Sequence, residues 1–458
     1  MNLRPYQTEA VAAIRLAFSK GHRRVLLQGA TGMGKSLIFA HIAEQAGKRG
    51  KRILILVHRR ELLLQASRTL REIGVAHGLI APGFPYTNHP VRVASIQTLV
   101  RRLGNTPRPD LIVYDEAHHA TSPTSLRVLN HYPSAHVLGV TATPARTDGR
   151  GLGEVFTDLI LGPSMSTLVD GGYLAPCEVW APPRVVDLRG IKVTAGDFDR
   201  HEVADRMDKP TITGDAVGHY QRLAAGKRAI AFVTTIEHAG HVAEAFKAAL
   251  IPAESIDGKI DPKERDAIMA RFRAGVTLVL VSCELVGEGV DVPAVEAAIL
   301  LRPTESVIVY LQQVGRAMRP APGKTRAVVL DHVGNCERHG LPESDRTWTL
   351  EGRKKQKSDR VPPMSRCPAC FACFRPGPEV CPMCGAALPK KEREVIASVP
   401  GELKRVDPAA YKVKMLAQKD EEARCVTYED FLALGTARGY GNPRGWAWVR
   451  LNARRERA

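Results

Sequence analysis

One stretch constrains the fold of this chain more than any other: Gly29-Ala30-Thr31-Gly32-Met33-Gly34-Lys35-Ser36. It fits the phosphate-loop pattern, in which glycine, four residues and a second glycine precede Lys and then Ser or Thr. An apolar run at 25–28 stands before it, and a helical pattern at 37–43 follows it. Glycines let the backbone wrap closely around phosphate oxygens, and the N–H groups of the loop and helix start supply positive potential. The stretch predicts a nucleotide site in which Lys35 reaches the β/γ-phosphates and the Ser36 hydroxyl holds Mg²⁺, with the loop formed by Gly29, Thr31, Gly32 and Gly34.

Apolar runs alternate with helical patterns along most of the chain. In the first half, the runs at 53–57, 91–96, 111–114 and 137–140 are typical of buried strands, and 59–73 has helical spacing. The alternation restarts after residue 210, with strands predicted at 229–233, 278–281 and 295–301 and a helix at 236–250. Wholly apolar strands separated by helices indicate parallel sheets covered on both faces. We therefore expect an α/β protein with two tandem parallel-sheet domains and ligands at the carboxyl ends of the strands.

Composition indicates which kind of partner the protein binds and in which cellular compartment it works. A length of 458 residues suggests about three domains. The net charge of +17 favours a polyanionic partner, because each neutralised phosphate releases counterions. No apolar run approaches the ~20 residues of a membrane span, and the N-terminus lacks a signal-peptide core. Nine cysteines, an odd number, argue against a secreted disulfide framework. We expect a reduced, cytoplasmic protein without membrane contact.

Polar residues follow two of the predicted strands in the first half. Asp115 and Glu116 come directly after the strand at 111–114, where two adjacent carboxylates can divide the work of a phosphoryl-transfer site. Asp115 is expected to position Mg²⁺, and Glu116 to orient or deprotonate the attacking water. Thr141 and Thr143 end the next strand, where hydroxyls can sense the state of the nucleotide.

Together these residues resemble the superfamily 2 helicases. The phosphate loop, Asp115-Glu116-Ala117-His118 and Thr141-Ala142-Thr143-Pro144 match motifs I, II and III of that family in order. The resemblance implies two RecA-like domains, hydrolysis of ATP and contact with nucleic acid, with His118 coupling the two. It further implies that Arg4 and Gln7 read the adenine. The segments containing Arg59 and Gln97 then contact the strand backbone, although a basic helix start and a helix cap are the alternatives.

The second half resembles the later motifs of the same family. The run 287–293, with Gly289 and Asp291, resembles motif V and implies contact with the nucleotide ribose or coupling to the strand. The run Gln312-Gln313-Val314-Gly315-Arg316-Ala317-Met318-Arg319 resembles motif VI. Arginines delivered from a neighbouring domain stabilise the charge of a phosphoryl-transfer transition state. Arg316 and Arg319, three residues apart on one helix face, are expected in that role, with Gln312 and Gln313 coupling the lobes.

Details of the motifs narrow the subgroup. DEAD-box RNA helicases usually carry Ser-Ala-Thr and a His-Arg start to motif VI, so Thr141 and Gln312-Gln313 favour the translocating Asp-Glu-x-His branch. The runs 141–149 and Asp208-Lys209-Pro210 resemble RadD-type DNA-repair helicases and their phage relatives. The prediction is an ATP-dependent helicase or translocase acting on single-stranded or forked DNA in repair, recombination or phage DNA metabolism. Repair or single-strand-binding proteins are candidate partners. Three alternatives stay open: an RNA helicase, the motor subunit of a restriction-type complex, and a nucleic-acid-binding scaffold that does not hydrolyse ATP.

The tail carries two Cys-Pro-x-Cys knuckles. Cys367 with Cys370 and Cys381 with Cys384 predict a tetrahedral Cys₄ zinc ribbon, whose folding energy would come from the Zn²⁺. Cys373 offers an alternative ligand, because it also forms a Cys-x-x-Cys pair with Cys370.

A stretch further on, 428–451, has apolar periodicity and carries Trp446 and Arg450. These residues are expected either to bind nucleic acid or to anchor a small helical domain. The predicted organisation of the whole chain is a first domain at 1–180, a connection at 181–210, a second domain at 211–335, a basic linker at 336–364, the ribbon at 365–388 and a basic C-terminal domain at 389–458.

Overall fold

Strands of almost entirely apolar residues form the centre of the chain. The computed structural model describes residues 3–146, 149–181, 190–194, 197–199, 202–203, 210–283, 295–351, 364–388, 416–418, 420–440 and 442–455. They belong to two units, Met1–Lys390 and Lys391–Ala458, and the second begins close to the predicted start at 389. Among the described residues, no helix combines the length and the apolar character needed to cross a membrane.

The first lobe is built on a parallel sheet of seven strands: β1 (Arg24–Gln28), β2 (Ile53–Val57), β3 (His77–Ile80), β4 (Val91–Ser95), β5 (Leu111–Asp115), β6 (His136–Thr141) and β7 (Asp158–Leu161). The order across the sheet is β3-β4-β2-β5-β6-β1-β7. All five residues of β2 and of β5 are buried, which is the pattern of central parallel strands with both faces covered. The helices are α1 (Pro5–Ser19), α2 (Lys35–Gly47), α3 (Arg60–Glu72), α4 (Ile96–Leu99), α5 (Pro123–His131) and α6 (Met165–Asp170).

The second lobe repeats the architecture around β11 (Ala229–Val233), β12 (Ala253–Ile256), β13 (Val279–Cys283), β14 (Ala297–Leu300) and β15 (Ala327–Asp331). These strands are parallel, in the order β12-β13-β11-β14-β15. Its helices are α7 (Pro210–Leu223), α8 (Ile236–Ala248), α9 (Pro262–Ala274), α10 (Val307–Ala317) and α11 (Asn335–His339). Two RecA-like sheets are therefore present, as predicted.

The boundary between the two sheets lies earlier than the predicted 180. Strand β8 (Cys177–Trp180) pairs in parallel with β15, so it belongs to the second sheet. The ribbon strand β17 (Ala372–Phe374) then pairs antiparallel with β8, and β16 (Ser365–Arg366) pairs with β17. The ribbon is thus an extension of the second sheet. Sequence spacing gives no signal for this pairing, because β8 and β17 are nearly two hundred residues apart in the chain.

The predicted connection and linker are partly fixed to the lobes. Within 181–210, a short hairpin of β9 (Val193–Thr194) and β10 (Asp197–Phe198) is held by Asp197, whose carboxylate accepts hydrogen bonds from Arg302, Thr304 and the Glu305 N–H. Within 336–364, Arg346 donates to four backbone carbonyls of residues 339–344, and the Leu350 carbonyl accepts from Gly153 of the first lobe.

The start of the predicted basic linker packs on the first unit, whereas its basic run at 352–357 lies outside the described residues. Leu341 and Trp348 in it are apolar and pack on the core.

The second unit contains a helical pair, α12 (Tyr428–Ala437) and α13 (Pro443–Arg455). Thr427 and Asp430 form a capping box that starts α12. Gly435 lets the helices approach closely, because a Cβ there would lie 2.9 Å from the Trp446 ring. A small helical domain is present here, as predicted.

Candidate active site

The phosphate loop joins the end of β1 to the start of α2, as the sequence predicts. Gly32 (φ +89°) and Gly34 (φ +85°) adopt the left-handed conformation, which side chains rarely allow. Gly34 also has no room for a side chain, because a Cβ there would lie 2.5 Å from Gln7 Nε2. Lys35 Nζ donates to the Gly29 carbonyl at 2.9 Å, so the lysine folds back over the loop. Thr31 lies in the same loop, and Ser36 is the second residue of α2.

Helix α10 of the second lobe packs directly on this loop. A Cβ at Gly315 would lie 2.6 Å from Thr31 Cβ, so only glycine permits this approach. Arg316 is 7 % exposed. The pKa of Lys35 is lowered first by burial; Glu116 and Asp115 oppose that shift, and Arg319 and Arg316 add to it. The structure therefore brings both predicted arginines into electrostatic range of the phosphate-loop lysine.

Asp115 and Glu116 lie at the carboxyl end of β5, facing the same cleft. Burial, and then the charge of Glu116, raises the pKa of Asp115 to about 7. Glu116 has φ +52°, an uncommon value for a residue with a side chain, and its N–H donates to Asp115 Oδ1 at 3.0 Å. Together with the hydroxyl of Ser36 at the start of α2, these carboxylates supply the hard oxygen donors that Mg²⁺ prefers.

The predicted coupling residues of the first lobe meet in one buried network. His118 Nδ1 lies 3.2 Å from Thr141 Oγ1 and 3.4 Å from Glu116 Oε2. Thr141 Oγ1 donates to the Thr143 carbonyl and accepts the Thr143 N–H. His118 therefore lies between Glu116 and the end of β6, where a coupling residue would stand.

Gln312 and Gln313 lie on α10, and both are buried. Among the described residues, Gln312 Nε2 and Gln313 Oε1 have no hydrogen-bond partner. Buried amide atoms of this kind are costly unless a ligand or another conformation satisfies them. Such atoms are suited to a cleft that binds and releases a ligand, because the bound ligand can supply the missing hydrogen bonds.

The segment predicted to read adenine braces the phosphate loop. Gln7 Nε2 donates to the Met33 carbonyl at 2.9 Å, and Gln7 Oε1 accepts the Arg4 N–H at 3.0 Å. Arg4 lies over the ring of Tyr173 at 5.0 Å, and Tyr6 meets that ring edge-on. Tyr173 was not predicted, because it stands in a polar turn with no motif around it.

Lys324 is a second residue that sequence reasoning missed. Its ammonium donates to the carbonyls of Val295 (2.7 Å), Arg319 (2.6 Å) and Ala317. It thereby holds the end of α10 that carries the arginines. Burial lowers the pKa of Lys324 to about 8.

The residues predicted to contact a nucleic-acid strand lie close together on the first lobe. Gln97 Nε2 donates to the His58 carbonyl at 3.0 Å, which joins its segment to the one that carries Arg59. Arg59 precedes α3 as its N-cap residue. Glu61, in the same segment, pairs with Arg265 of the second lobe at 3.2 Å. This charge pair between α3 and α9 gives no local signal in the sequence.

In the second unit, Trp446 packs within the helical pair, against Phe431 and Tyr440. Arg450 lies over its ring at 5.7 Å. This packing supports the alternative that Trp446 anchors the helical pair, although the ring is only half-buried, and its contact with nucleic acid stays a prediction. Trp448, 62 % exposed, is the accessible indole.

The four predicted zinc ligands converge. The sulfur atoms of Cys367, Cys370, Cys381 and Cys384 all lie within 4.8 Å of one another. The distances between Cys367 and Cys384 (3.7 Å) and between Cys370 and Cys381 (3.6 Å) are close to the ~3.8 Å that four Zn–S bonds of about 2.3 Å impose in a tetrahedron. The cluster could therefore hold Zn²⁺. Cys373 lies outside it, beside Cys336, which leaves the two Cys-Pro-x-Cys knuckles as the ligand set.

Gly289 and Asp291, predicted from motif V, lie outside the described residues. Their roles stay predictions.

Two family models match the chain. Residues 1–146 match the model described as "Type III restriction enzyme, res subunit", and residues 213–321 match the "Helicase conserved C-terminal domain". A 51.5 kDa protein of Lactococcus phage (isolate 7-9) is 32% identical over 397 residues, which cover 86% of this chain and 85% of that protein.

The "Putative ATP-dependent helicase IRC3" of Saccharomyces cerevisiae is 30% identical over 354 residues, 72% of this chain. This chain spans about half, 51%, of the yeast protein. In fold, the chain resembles the ATP-dependent Type ISP restriction-modification enzyme LlaBIII, solved bound to DNA, with a TM-score of 0.54 at 20% identity over 72% of this chain and 28% of that one.

The first matched range contains β1 to β6 of the first lobe and the second contains β11 to β14 of the second, and the phosphate loop, the carboxylate pair and the paired arginines lie where those lobes meet. The chain belongs to the superfamily 2 helicases, which hydrolyse ATP.

Proposed function

We propose that this protein is a motor that couples hydrolysis of Mg²⁺-bound ATP between its two lobes to movement along single-stranded or forked DNA. The observation that carries the proposal is the packing of α10 on the phosphate loop at Gly315 and Thr31, because it joins the second lobe to the nucleotide site. A change of nucleotide at this contact changes the free energy of closing the lobes.

Each residue of the site has a role in this proposal. Lys35 and the loop N–H groups bind the phosphates, while Ser36 and Asp115 hold Mg²⁺. The metal would neutralise charge on the phosphates. Glu116 orients or deprotonates the attacking water, and Arg316 and Arg319 stabilise the charge of the transition state.

Coupling to the strand runs through the buried network of His118, Thr141 and Thr143. Gln312 and Gln313 form the second lobe's side of the same cleft. Because His118 lies between Glu116 Oε2 and Thr141 Oγ1 at the end of β6, we propose that the state of the nucleotide alters the surface that carries Arg59 and Gln97.

Two observations favour DNA as the strand: the first lobe matches a model named for a type III restriction enzyme, and LlaBIII was solved bound to DNA. The net charge of +17 favours a nucleic acid without distinguishing DNA from RNA. The sequence resemblance to RadD-type repair helicases and phage relatives favours DNA repair or phage DNA metabolism, in a cytoplasmic setting. In the second unit, we propose Trp448 as the residue that stacks on bases, beside Arg444.

The four-cysteine cluster is proposed to hold Zn²⁺. Repair proteins or single-strand-binding proteins are the proposed partners.

The test is the ATPase rate with no nucleic acid, single-stranded DNA, forked DNA, duplex DNA and single-stranded RNA. We expect stimulation by single-stranded or forked DNA and none by RNA. Lys35→Ala should abolish the rate, whereas Lys48→Ala, at the exposed end of the same helix, should leave it unchanged. Stimulation by RNA alone would identify an RNA helicase, and no stimulation by any strand would favour either a nucleotide-dependent scaffold or a motor that needs partner subunits.

The match of the first lobe to the res-subunit model favours one further candidate, the motor subunit of a restriction-type complex. That protein would hydrolyse ATP only with its partner subunits present. Strand-stimulated ATPase of the isolated chain therefore separates the two functions.

A further inference from the structure

A second polar cleft lies at the edge of the first lobe opposite the ATP site. It has a volume of about 200 Å³ and opens where β2, β4 and β5 begin. Its polar lining comes from Arg52, Asn88, His89, Arg92 and Thr106. The residues around it carry two guanidinium groups and an imidazole, and its described lining contains no carboxylate.

Arg92 is the unusual member of this lining. It stands in β4 between Gly78 and Leu54 of the neighbouring strands and is only 6 % exposed. Its Nη2 donates to Tyr86 Oη at 3.1 Å and Asn88 Oδ1 at 3.3 Å, which are neutral acceptors. Its Nε is buried, and within the described part of the chain it has no hydrogen-bond partner.

A second nitrogen atom of the lining is in the same situation. His89 Nδ1 is buried and, among the described residues, has no hydrogen-bond partner. The nearby carboxylate of Asp110 is already engaged, because it accepts the Arg52 N–H at 2.8 Å and pairs with Lys51 at 3.4 Å.

Among the described residues, the buried guanidinium of Arg92 contacts two neutral acceptors and the Tyr86 ring, whose centre lies 5.2 Å from the guanidinium carbon, and it contacts no carboxylate. A guanidinium stays protonated at any pH a protein tolerates, so burial cannot be relieved by losing the proton. Burying an uncompensated charge costs several kcal/mol in general. An anion in the cleft would offset that cost and satisfy the two unpaired nitrogen atoms.

We propose that this cleft is a binding site for a phosphate group, distinct from the phosphate loop. Arg92 Nε and Nη1, whose hydrogens are not used by Tyr86 or Asn88, donate to the phosphate oxygens, with Arg52 closing the mouth and His89 donating from the side. The small volume suits one terminal phosphate, as in inorganic phosphate, pyrophosphate or the 5′ end of a strand, and not a continuous backbone.

The experiment uses the full chain with its ATP site saturated by Mg²⁺ and a non-hydrolysable ATP analogue, so that the phosphate loop is blocked. Binding of pyrophosphate is measured by calorimetry at constant ionic strength. We expect binding by the wild type, weakened about tenfold or more in Arg92→Met and about threefold in Arg52→Ala. Arg15→Met, an exposed arginine of α1 in the same lobe, is the matched control and should bind as the wild type does.

Thermal unfolding separates binding from a structural role. Without phosphate, Arg92→Met should be at least as stable as the wild type, because an uncompensated buried charge is removed. A variant that is less stable without phosphate and equally stabilised by it would assign Arg92 to the fold alone. Arg52 is exposed, so Arg52→Ala tests the site even if Arg92→Met fails to fold.

Two oligonucleotides identify the source of the phosphate. Preference for a 5′-phosphorylated strand over the same strand with a 5′-hydroxyl, lost in Arg92→Met, supports the site with a strand end as ligand. Equal binding of the two strands, with pyrophosphate binding sensitive to Arg92, supports it with a small phosphorylated anion. Undetectable pyrophosphate and strand-end binding, or binding that both variants retain, overturns the proposal.

Discussion

At the scale of single residues, the chemistry of the ATP site depends on a few atoms whose protonation is set by burial. Asp115 is expected to bind Mg²⁺ as a carboxylate, yet burial and the neighbouring Glu116 favour its protonated form. Its pKa of about 7 lies above the ordinary value, so the group loses its proton only as pH rises through neutrality. Metal binding must displace that proton.

The prediction at this scale is a pH dependence. Between pH 6 and pH 8 the ionised fraction of Asp115 rises about tenfold, so the Kd of a fluorescent ADP analogue with Mg²⁺ should fall by up to about tenfold. Without Mg²⁺ the dependence should shrink, and Asp115→Asn should bind weakly at every pH. A flat wild-type profile with Mg²⁺ present would show that Asp115 is already ionised in the free protein.

At the scale of elements, the local sequence pattern determines which segments form strands and helices, whereas pairing between distant segments determines which sheet a strand joins. The predicted strand at 229–233 is β11 to the residue, and the predicted helix at 59–73 differs from α3 by one residue at each end. Such segments are apolar throughout or have a clear helical period, so their identity is local. The pairing of β17 with β8 is not local, and it makes the ribbon part of the second sheet.

The prediction at this scale concerns the metal. Removal of Zn²⁺ should free β17 from the sheet edge and lower the midpoint of thermal unfolding by roughly 5–10 °C, since about 1 kcal/mol shifts a domain of this size by roughly 2–4 °C. Cys381→Ser should reproduce the loss of both zinc and stability. Cys373→Ser should retain one zinc per chain, measured by atomic emission. Loss of zinc with an unchanged midpoint would mean that the ribbon does not support the sheet.

At the scale of the first unit, the two lobes meet at more than the ATP site. Gly315 contacts the phosphate loop, the Leu350 carbonyl accepts from Gly153, and Glu61 pairs with Arg265. The last pair joins α3, which starts beside the predicted strand contacts, to α9 of the other lobe. It is a partly exposed charge pair, worth about 1 kcal/mol or less.

The prediction at this scale is that Glu61→Ala and Arg265→Ala each raise the KM for ATP by about two- to fivefold, because the closed arrangement of the lobes loses a contact. The exchange of the two charges, Glu61→Arg with Arg265→Glu, should recover most of that loss. Glu244→Ala removes a pair within α8 and should leave KM unchanged. Equal effects of the exchange and of the single variants would exclude a direct pairing.

The sequence by itself determined the features that depend on a few consecutive residues. These features are the glycines that adopt positive φ, the apolar runs that fill a sheet, and the cysteines at metal-binding spacing. The phosphate loop, Asp115 with Glu116, and the four zinc-cluster cysteines were therefore predictable.

Tertiary structure alone decided the rest, because contacts between distant segments depend on how elements pack and not on their own composition. Only packing placed β8 in the second sheet, brought Trp446 against Phe431, joined Glu61 to Arg265 and put Lys324 behind α10. Only packing buried Arg92 with no carboxylate partner among the described residues, since nothing within β4 records which side chains the neighbouring strands supply.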